Sequence, residues 1–311
     1  MAEPQVIVLT GPTATGKTAL GVALARKLGG EVVSADSMQL YRGMDIGTAK
    51  VSPSEMEGIP HHLIDVAEPD EDWSVARWVA AAAEIAEDIF ARDKLPIIVG
   101  GTNLYIDSLL SGRDFAERDE SSLRAELNAE YDAIGGEQFL EKLRAVDPER
   151  AEKLHPADKK RLVRAMEVYA LTGQTITAHD AETQKLPPRW DSLRVALTYA
   201  NREDLYDRID ERVDEMVRWG LFDEVETLLR RGLSPDCTAM QAIGYKEVAA
   251  YFRGTVTGGD VMDAIKQSSR RYAKRQLTGL RRDEGLHGIA WDGAPDIAAA
   301  ADTVLALWSK K

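Results

Sequence analysis

Eight residues near the start of the chain, Gly11-Pro12-Thr13-Ala14-Thr15-Gly16-Lys17-Thr18, follow the G-x-x-x-x-G-K-[ST] spacing. In such a P-loop the glycines let the backbone curl until its N–H groups point inward at phosphate oxygens, and the helix that follows adds partial positive charge. Lys17 neutralises the terminal phosphate and Thr18 offers a hydroxyl to Mg²⁺. A Gly-rich turn that matches by chance is the competing reading. The flanking residues weigh against it: QVIVLT at 5–10 reads as a strand, and Leu20, Leu24 and Leu28 recur at helical spacing until Gly29-Gly30.

Two further polar residues follow apolar runs at the edge where ligands bind in open α/β sheets. Asp36 comes just after EVVSA at 31–35, and Thr102 just after PIIVGG at 96–101. Each has a structural alternative, an Asx-turn or helix cap for Asp36 and an N-cap for Thr102. At this level both readings stay open. His61 and His62 have no metal-ligand spacing to other His or Cys and are read as structural. The single cysteine, Cys237, reads as inert packing.

A third candidate is a charge imbalance. Between residues 266 and 282 stand Lys266, Arg270, Arg271, Lys274, Arg275, Arg281 and Arg282 with no acid among them, in a chain of formal net charge -13. Most charge runs are solvated helix faces. Arg271, Arg275 and Arg282 nevertheless fall near one face at helical spacing, alternating with Tyr272 and Leu277, and the reading favoured is a polyphosphate or nucleic-acid surface.

These residues need a scaffold of parallel strands. The β-branched runs at 5–10, 31–34, 96–99 and 193–199, with an Ala-rich helical stretch at 75–90 as crossover, predict a P-loop NTPase-like α/β fold with a doubly wound parallel sheet. From about residue 116 to 186 the strand signal disappears and charged helical patterns follow one another at 121–134, 137–146 and 159–171. The expected organisation is a core of residues 1–115 and 187–311 with C-terminal helices, and an inserted all-helical domain at 116–186. Helices are expected at 203–218, 222–231, 245–252, 261–277 and 297–308.

With 311 residues, 44% hydrophobic and 29% charged, the chain is of the ordinary globular class. Its acidity argues against indiscriminate DNA binding, and a lone cysteine against a disulfide framework. No window reaches the roughly 18 apolar residues of a membrane span, and the start runs into a strand without a signal-peptide pattern. A cytoplasmic protein is the expectation.

Taken together, the segments resemble the bacterial tRNA dimethylallyltransferase family, also called isopentenyl-diphosphate:tRNA transferases. The resemblance is carried by GPTATGKT at 11–18, SADSMQLY at 34–41, DIGTAK at 45–50, PHHLID at 60–65 and VGGTNLY at 99–105. It continues through KRLVR at 160–164, RIDER at 208–212, QAIGYK at 241–246 and YAKRQLT at 272–278.

The resemblance implies transfer of a dimethylallyl group from dimethylallyl diphosphate to the exocyclic N6 amine of the adenosine 3′-adjacent to the tRNA anticodon, releasing diphosphate. It implies that Gly11, Thr13, Ala14, Thr15, Gly16, Lys17 and Thr18 hold the diphosphate, with Thr18 at a Mg²⁺ ion. Asp36, Lys17, Thr102 and Arg212 take the catalytic roles. An anticodon stem-loop would meet Asp36, Ser37, Met38, Gln39, Thr102, Arg124, Lys160, Arg161, Leu162, Val163, Arg164, Gln241, Ala242, Ile243, Gly244, Tyr245 and Lys246, with the helical insertion helping to grip it. Arg271 and Arg275 join that surface on charge alone. The family also implies a monomer with neither a membrane nor an obligate protein partner.

The chain departs from the family pattern at two places. Asn103 stands where Gly is usual, and Gly279-Leu280-Arg281 replaces Trp-Phe-Arg. Two lost aromatics remove about 1–3 kcal/mol per stacked base if they faced RNA. The alternatives are a small-molecule P-loop kinase, which the P-loop and Asp36 alone would also fit, an adenylate dimethylallyltransferase, and a non-enzymatic RNA-binding nucleotide sensor.

Overall fold

The computed structural model describes residues 5–112, 122–183, 185–281, 283 and 285–310. The expected boundary at 115/116, Ser121 and Arg282 lie outside them. Two units divide the chain: residues 1–110 with 190–311, and residues 111–189.

The first unit is built on six parallel strands: β1 (Gln5–Thr10), β2 (Glu31–Ser34), β3 (His61–His62), β4 (Pro96–Val99), β5 (Asp191–Tyr199) and β6 (Leu286–Trp291), in the order β3-β2-β4-β1-β5-β6. Every pairing is parallel, so each connection is a crossover and both faces of the sheet need cover. This explains why β1 and β4 read as near-continuous apolar runs: Val6, Ile7, Val8, Leu9, Ile97 and Ile98 are all buried.

Before the insertion, the helices of this unit are α1 (Lys17–Leu28), α2 (Pro53–Met56), α3 (Val75–Ala91) and α4 (Asn103–Leu110). The chain winds to one side of β1 through β2, β3 and β4, then crosses to the other side as β5. The order therefore reverses around β1, and the loops at its C-terminal end open into the crevice where such sheets bind ligands.

The second unit is all-helical: α5 (Leu123–Ile134), α6 (Gly136–Val146), α7 (Pro148–Glu152), α8 (Lys159–Thr172) and α9 (Ile176–Thr183). Its own core gathers Leu127, Phe139, Leu140, Leu143, Leu162 and Val163. After it come β5 and α10 (Arg202–Arg218), α11 (Leu221–Arg230), α12 (Tyr245–Phe252), α13 (Gly258–Leu280) and α14 (Ile297–Trp308).

In the first unit, α1, α10 and α14 pack apolar side chains against the sheet, where Leu20, Leu24, Ile209 and Val304 meet Ile7, Leu9 and Val195. A separate cluster joins Tyr41, Met44, Leu221, Tyr245 and Ile265, which binds the chain after β2 to α11, α12 and α13. Among the described residues no helix is long and apolar enough to cross a membrane.

β3 and β6 had no strand signal of their own. β3 is two residues long, and β6 (LHGIAW) is half exposed with a Gly at its middle, so neither shows an apolar run.

Candidate active site

The loop between β1 and α1 is shaped by close approach. Gly11 has φ 136, and a Cβ there would sit 2.3 Å from the backbone oxygen of Leu197 on β5, so only glycine fits. Ala14 has φ 64. The loop's carbonyls are taken by protein donors. Pro12 O accepts from Thr15 Oγ1 at 2.8 Å and from Lys17 Nζ at 2.5 Å, Thr15 O from Trp291 Nε1 at 3.0 Å, and Ala14 O from the Tyr199 hydroxyl at 3.5 Å. A loop whose carbonyls are used in this way offers an approaching anion its N–H groups.

Lys17 is the centre of the electrostatics. Burial, and then the neighbouring charge of Arg212, lower its pKa to about 7, while Asp36 opposes the shift. Arg212, on α10, is likewise lowered by burial and supported by Asp36. Two cations and one carboxylate from β1–α1, α10 and the end of β2 thus converge on one crevice. With both bases charged the cations would outnumber the acid, and desolvation makes that costly, so Lys17 gives up its proton readily until an anion enters.

Asp36 forms the expected Asx-turn and also carries charge toward the P-loop crevice. Its Oδ1 accepts from Met38 N at 2.9 Å, an Asx-turn, and its charge acts on Lys17, Arg212 and Tyr272. Thr102 immediately precedes α4, with its carbonyl accepting from Tyr105 N and Ile106 N. Its side chain turns elsewhere: Oγ1 accepts from Ser37 N at 3.3 Å, and its one proton is directed at the Tyr272 phenol oxygen. The Tyr272 phenol of α13 also interacts with Thr102, and burial with the nearby Asp36 charge pushes it up to about 12. Tyr272 is a site neighbour that spacing alone did not single out.

Thr18 lies exposed on the first turn of α1, beside Lys17. No group of three His, Cys, Asp or Glu side chains suited to a metal occurs among the described residues. A single hydroxyl oxygen is the donor set a Mg²⁺ ion accepts when substrate phosphates and water complete its shell, so the residues fit that ion.

The remaining candidates divide by exposure. On α8, Lys160 and Arg161 are exposed, but Leu162 and Val163 are buried in the helical unit's core. A helix with one face against a core presents only part of a five-residue run, so within 160–164 the exposed side chains are those of Lys160 and Arg161. Arg164 donates to the buried Glu167 at 2.7 Å, and Arg124 Nε lies 3.8 Å from the other oxygen of that carboxylate. Ala242 and Tyr245 are likewise buried; the Tyr245 hydroxyl donates to Glu224 at 2.5 Å, and Glu224 also accepts from the backbone at 45–47. Gln241 and Lys246 are exposed, Ile243 is half-buried, and Gly244 is buried like Tyr245.

Gln39 is a local brace, accepting from Ser34 Oγ at 3.2 Å and donating to the carbonyls of Thr48 and Ala49. Ser37 and Met38 are half-buried beside it. In the basic run, Lys266 pairs with Asp214 at 2.7 Å and Arg270 with Asp210, so two of its charges are spent on α10. Arg271 and Arg275 are exposed. His62 is structural, with Nε2 2.8 Å from the buried Glu31.

The model of the IPP transferase family matches residues 39–283, and that of the isopentenyl transferase family residues 4–68. The chain belongs to the IPP transferase family. It is 48% identical over 309 residues to a tRNA dimethylallyltransferase of Geobacillus kaustophilus, covering 98% of this chain and 96% of that protein. With that of Geobacillus thermodenitrificans it shares 50% over 281 residues, covering 89% and 87%. Among solved structures, the tRNA isopentenylpyrophosphate transferase of Bacillus halodurans aligns with a TM-score of 0.73 at 39% identity, over 99% of this chain and 97% of that one. A eukaryotic dimethylallyltransferase acting on tRNA aligns with a TM-score of 0.83 at 30% identity, over 98% and 79%. IPP transferase membership over this span displaces the small-molecule kinase and the non-enzymatic sensor as readings.

Proposed function

We propose that the protein transfers a dimethylallyl group from dimethylallyl diphosphate to the N6 amine of the adenosine 3′-adjacent to a tRNA anticodon, releasing diphosphate. The observation that carries this reading is that the half-buried Lys17 of the P-loop and the half-buried Arg212 are near enough to each other and to Asp36 for their charges to act on one another. It joins an anion site to a carboxylate in one crevice, and relatives sharing nearly half the sequence bear the name of that activity.

The reaction breaks the bond from the allylic carbon to the diphosphate oxygen and forms one from that carbon to N6. The bonding pair leaves with diphosphate, so negative charge grows on its oxygens. In this reading Lys17, Arg212 and the loop N–H groups stabilise it, and the Thr102 hydroxyl turns its proton from Tyr272 to the departing diphosphate. Mg²⁺, held by Thr18 together with substrate oxygens, would supply further charge neutralisation. The adenine amine is a weak nucleophile because its lone pair is delocalised; Asp36 accepts the proton it loses. A base stacked in its loop is out of reach of a crevice, so the adenine is flipped out to react. The exposed cations Lys160, Arg161, Arg271 and Arg275 supply phosphate contacts to the RNA.

The test mixes the protein with radiolabelled dimethylallyl diphosphate, Mg²⁺ and unmodified tRNA, with AMP, ATP and RNA-free controls. Label in tRNA alone is expected. Label in AMP would make it an adenylate dimethylallyltransferase, and ATP turnover without label transfer would return the kinase reading.

A further inference from the structure

Thr102 is bracketed by a single residue of another helix. Gln276 of α13 is 6% exposed, and its Nε2 donates to the carbonyl of Gly101 at 2.8 Å. A Cβ on Gly101 would lie 2.1 Å from that nitrogen, so the turn and the amide touch directly. On the other side, Asn103 Nδ2 donates to the backbone carbonyl of Gln276 at 3.2 Å. The residues before and after Thr102 are thus both held by Gln276, one through its side chain and one through its main chain.

The arrangement leaves a polar group unmatched. Gln276 Oε1 is buried with no hydrogen-bond partner, a state that costs about 1–3 kcal/mol. An apolar side chain of the same length would avoid that cost and still fill the space, but would release the Gly101 carbonyl. Thr102 must keep Oγ1 on Ser37 N at 3.3 Å, beside Asp36, and the turn that carries it has two glycines and little stiffness of its own.

We propose that Gln276 is a positioning residue that fixes the Gly101–Asn103 turn, and through it the placement of the Thr102 hydroxyl against the departing diphosphate. The inference rests on the transferase reading and on the role given there to Thr102.

The test measures steady-state label transfer for Gln276→Met in two backgrounds, with Thr102 and with Thr102→Ala, and for Gln276→Glu across pH. With Thr102 present, Gln276→Met lowers kcat roughly tenfold, the scale of one lost hydrogen bond, and leaves KM for tRNA and donor nearly unchanged. In the Thr102→Ala background the same substitution adds little, because its effect passes through Thr102. Gln276→Glu recovers toward the kcat of the unsubstituted protein as pH falls, since the protonated carboxyl regains a donor for the Gly101 carbonyl, and burial raises its pKa. If Gln276→Glu does not fold, the Gln276→Met comparison decides alone.

Equal losses in both backgrounds, or a loss confined to KM, overturn the inference while the transferase reading stands. Undiminished turnover in Thr102→Ala removes the role of Thr102 and this inference with it. Absence of label transfer to tRNA by the unsubstituted protein removes the transferase reading itself.

Discussion

Asn103 occupies the space in which a side chain on Gly279 would begin: a Cβ there would lie 2.5 Å from Asn103 Nδ2. Asn103 and Gly279, both singled out in the sequence as departures from the pattern it resembles, are therefore in contact. Asn103 is not free to move away, because Nδ2 donates to the Gln276 carbonyl and Oδ1 accepts from Thr10 Oγ1 at 3.4 Å. Gly279→Ala should cost about 1 kcal/mol despite alanine's better helix propensity, since overpacking wins at a fixed neighbour. In an Asn103→Gly background the same substitution should stabilise by up to about 1 kcal/mol. Denaturant melts of the four proteins give the coupling, and additive effects would refute it.

Lys17 couples diphosphate binding to protons. Its pKa falls from the ordinary 10.5 to about 7 in the folded protein, so the charged form is disfavoured and the penalty on the fold grows as pH drops between those values. Diphosphate supplies the missing anion and raises the pKa again. Near pH 8, binding should take up close to one proton per site, and affinity should weaken as pH rises further. Calorimetry in buffers of different ionisation enthalpy measures the uptake. Lys17→Met should abolish it.

Asp36→Asn should lower label transfer by about 10²–10⁴-fold, the range for a lost general base. The Asn carbonyl can still accept from Met38 N, so the turn is retained. Diphosphate affinity, read by competition, should hold or tighten because a negative charge has gone. Parallel loss of affinity and turnover would mean that Asp36 is structural only.

Glu31 stabilises the edge of the sheet. It is 2% exposed and accepts from Arg92 Nη2 at 2.9 Å, Lys94 at 2.7 Å and His62 at 2.8 Å, with Arg92 the main cause of a carboxyl held far below its ordinary value. Its folded pKa is depressed, so its contribution is present above the ordinary value of 4.5 and fades as pH falls below it. Glu31→Ala should cost about 2 kcal/mol at neutral pH and clearly less near pH 3. Chemical melts at the two pH values check the sign. An equal cost at both would reassign the effect to packing.

Much of the site was legible because its chemistry is local in sequence. The P-loop, the Asp36 turn and the Gly-Gly-Thr turn are each defined by a few adjacent residues, and β1, β2, β4 and β5 announce themselves as buried apolar runs. What spacing could not convey was which helix face meets which neighbour. Leu162, Val163, Ala242 and Tyr245 went to cores, Lys266 and Arg270 to the acids of α10, and Gln276 to a carbonyl far away in sequence. β3 and β6 were invisible because a strand of two residues, or one half exposed, needs no apolar pattern.

β1 lies between β4 and β5, and its register with β5 pairs Gln5 with Asp191 across the whole helical unit. On a ribosome, which releases the chain from its N-terminus, the strand leading into the phosphate loop emerges early and keeps one flank open until the β5 segment arrives. The helical unit, with its own core, can consolidate in the meantime. A nascent chain halted before residue 190 therefore displays an unpaired apolar strand edge, which makes it a client for chaperones and a seed for aggregation.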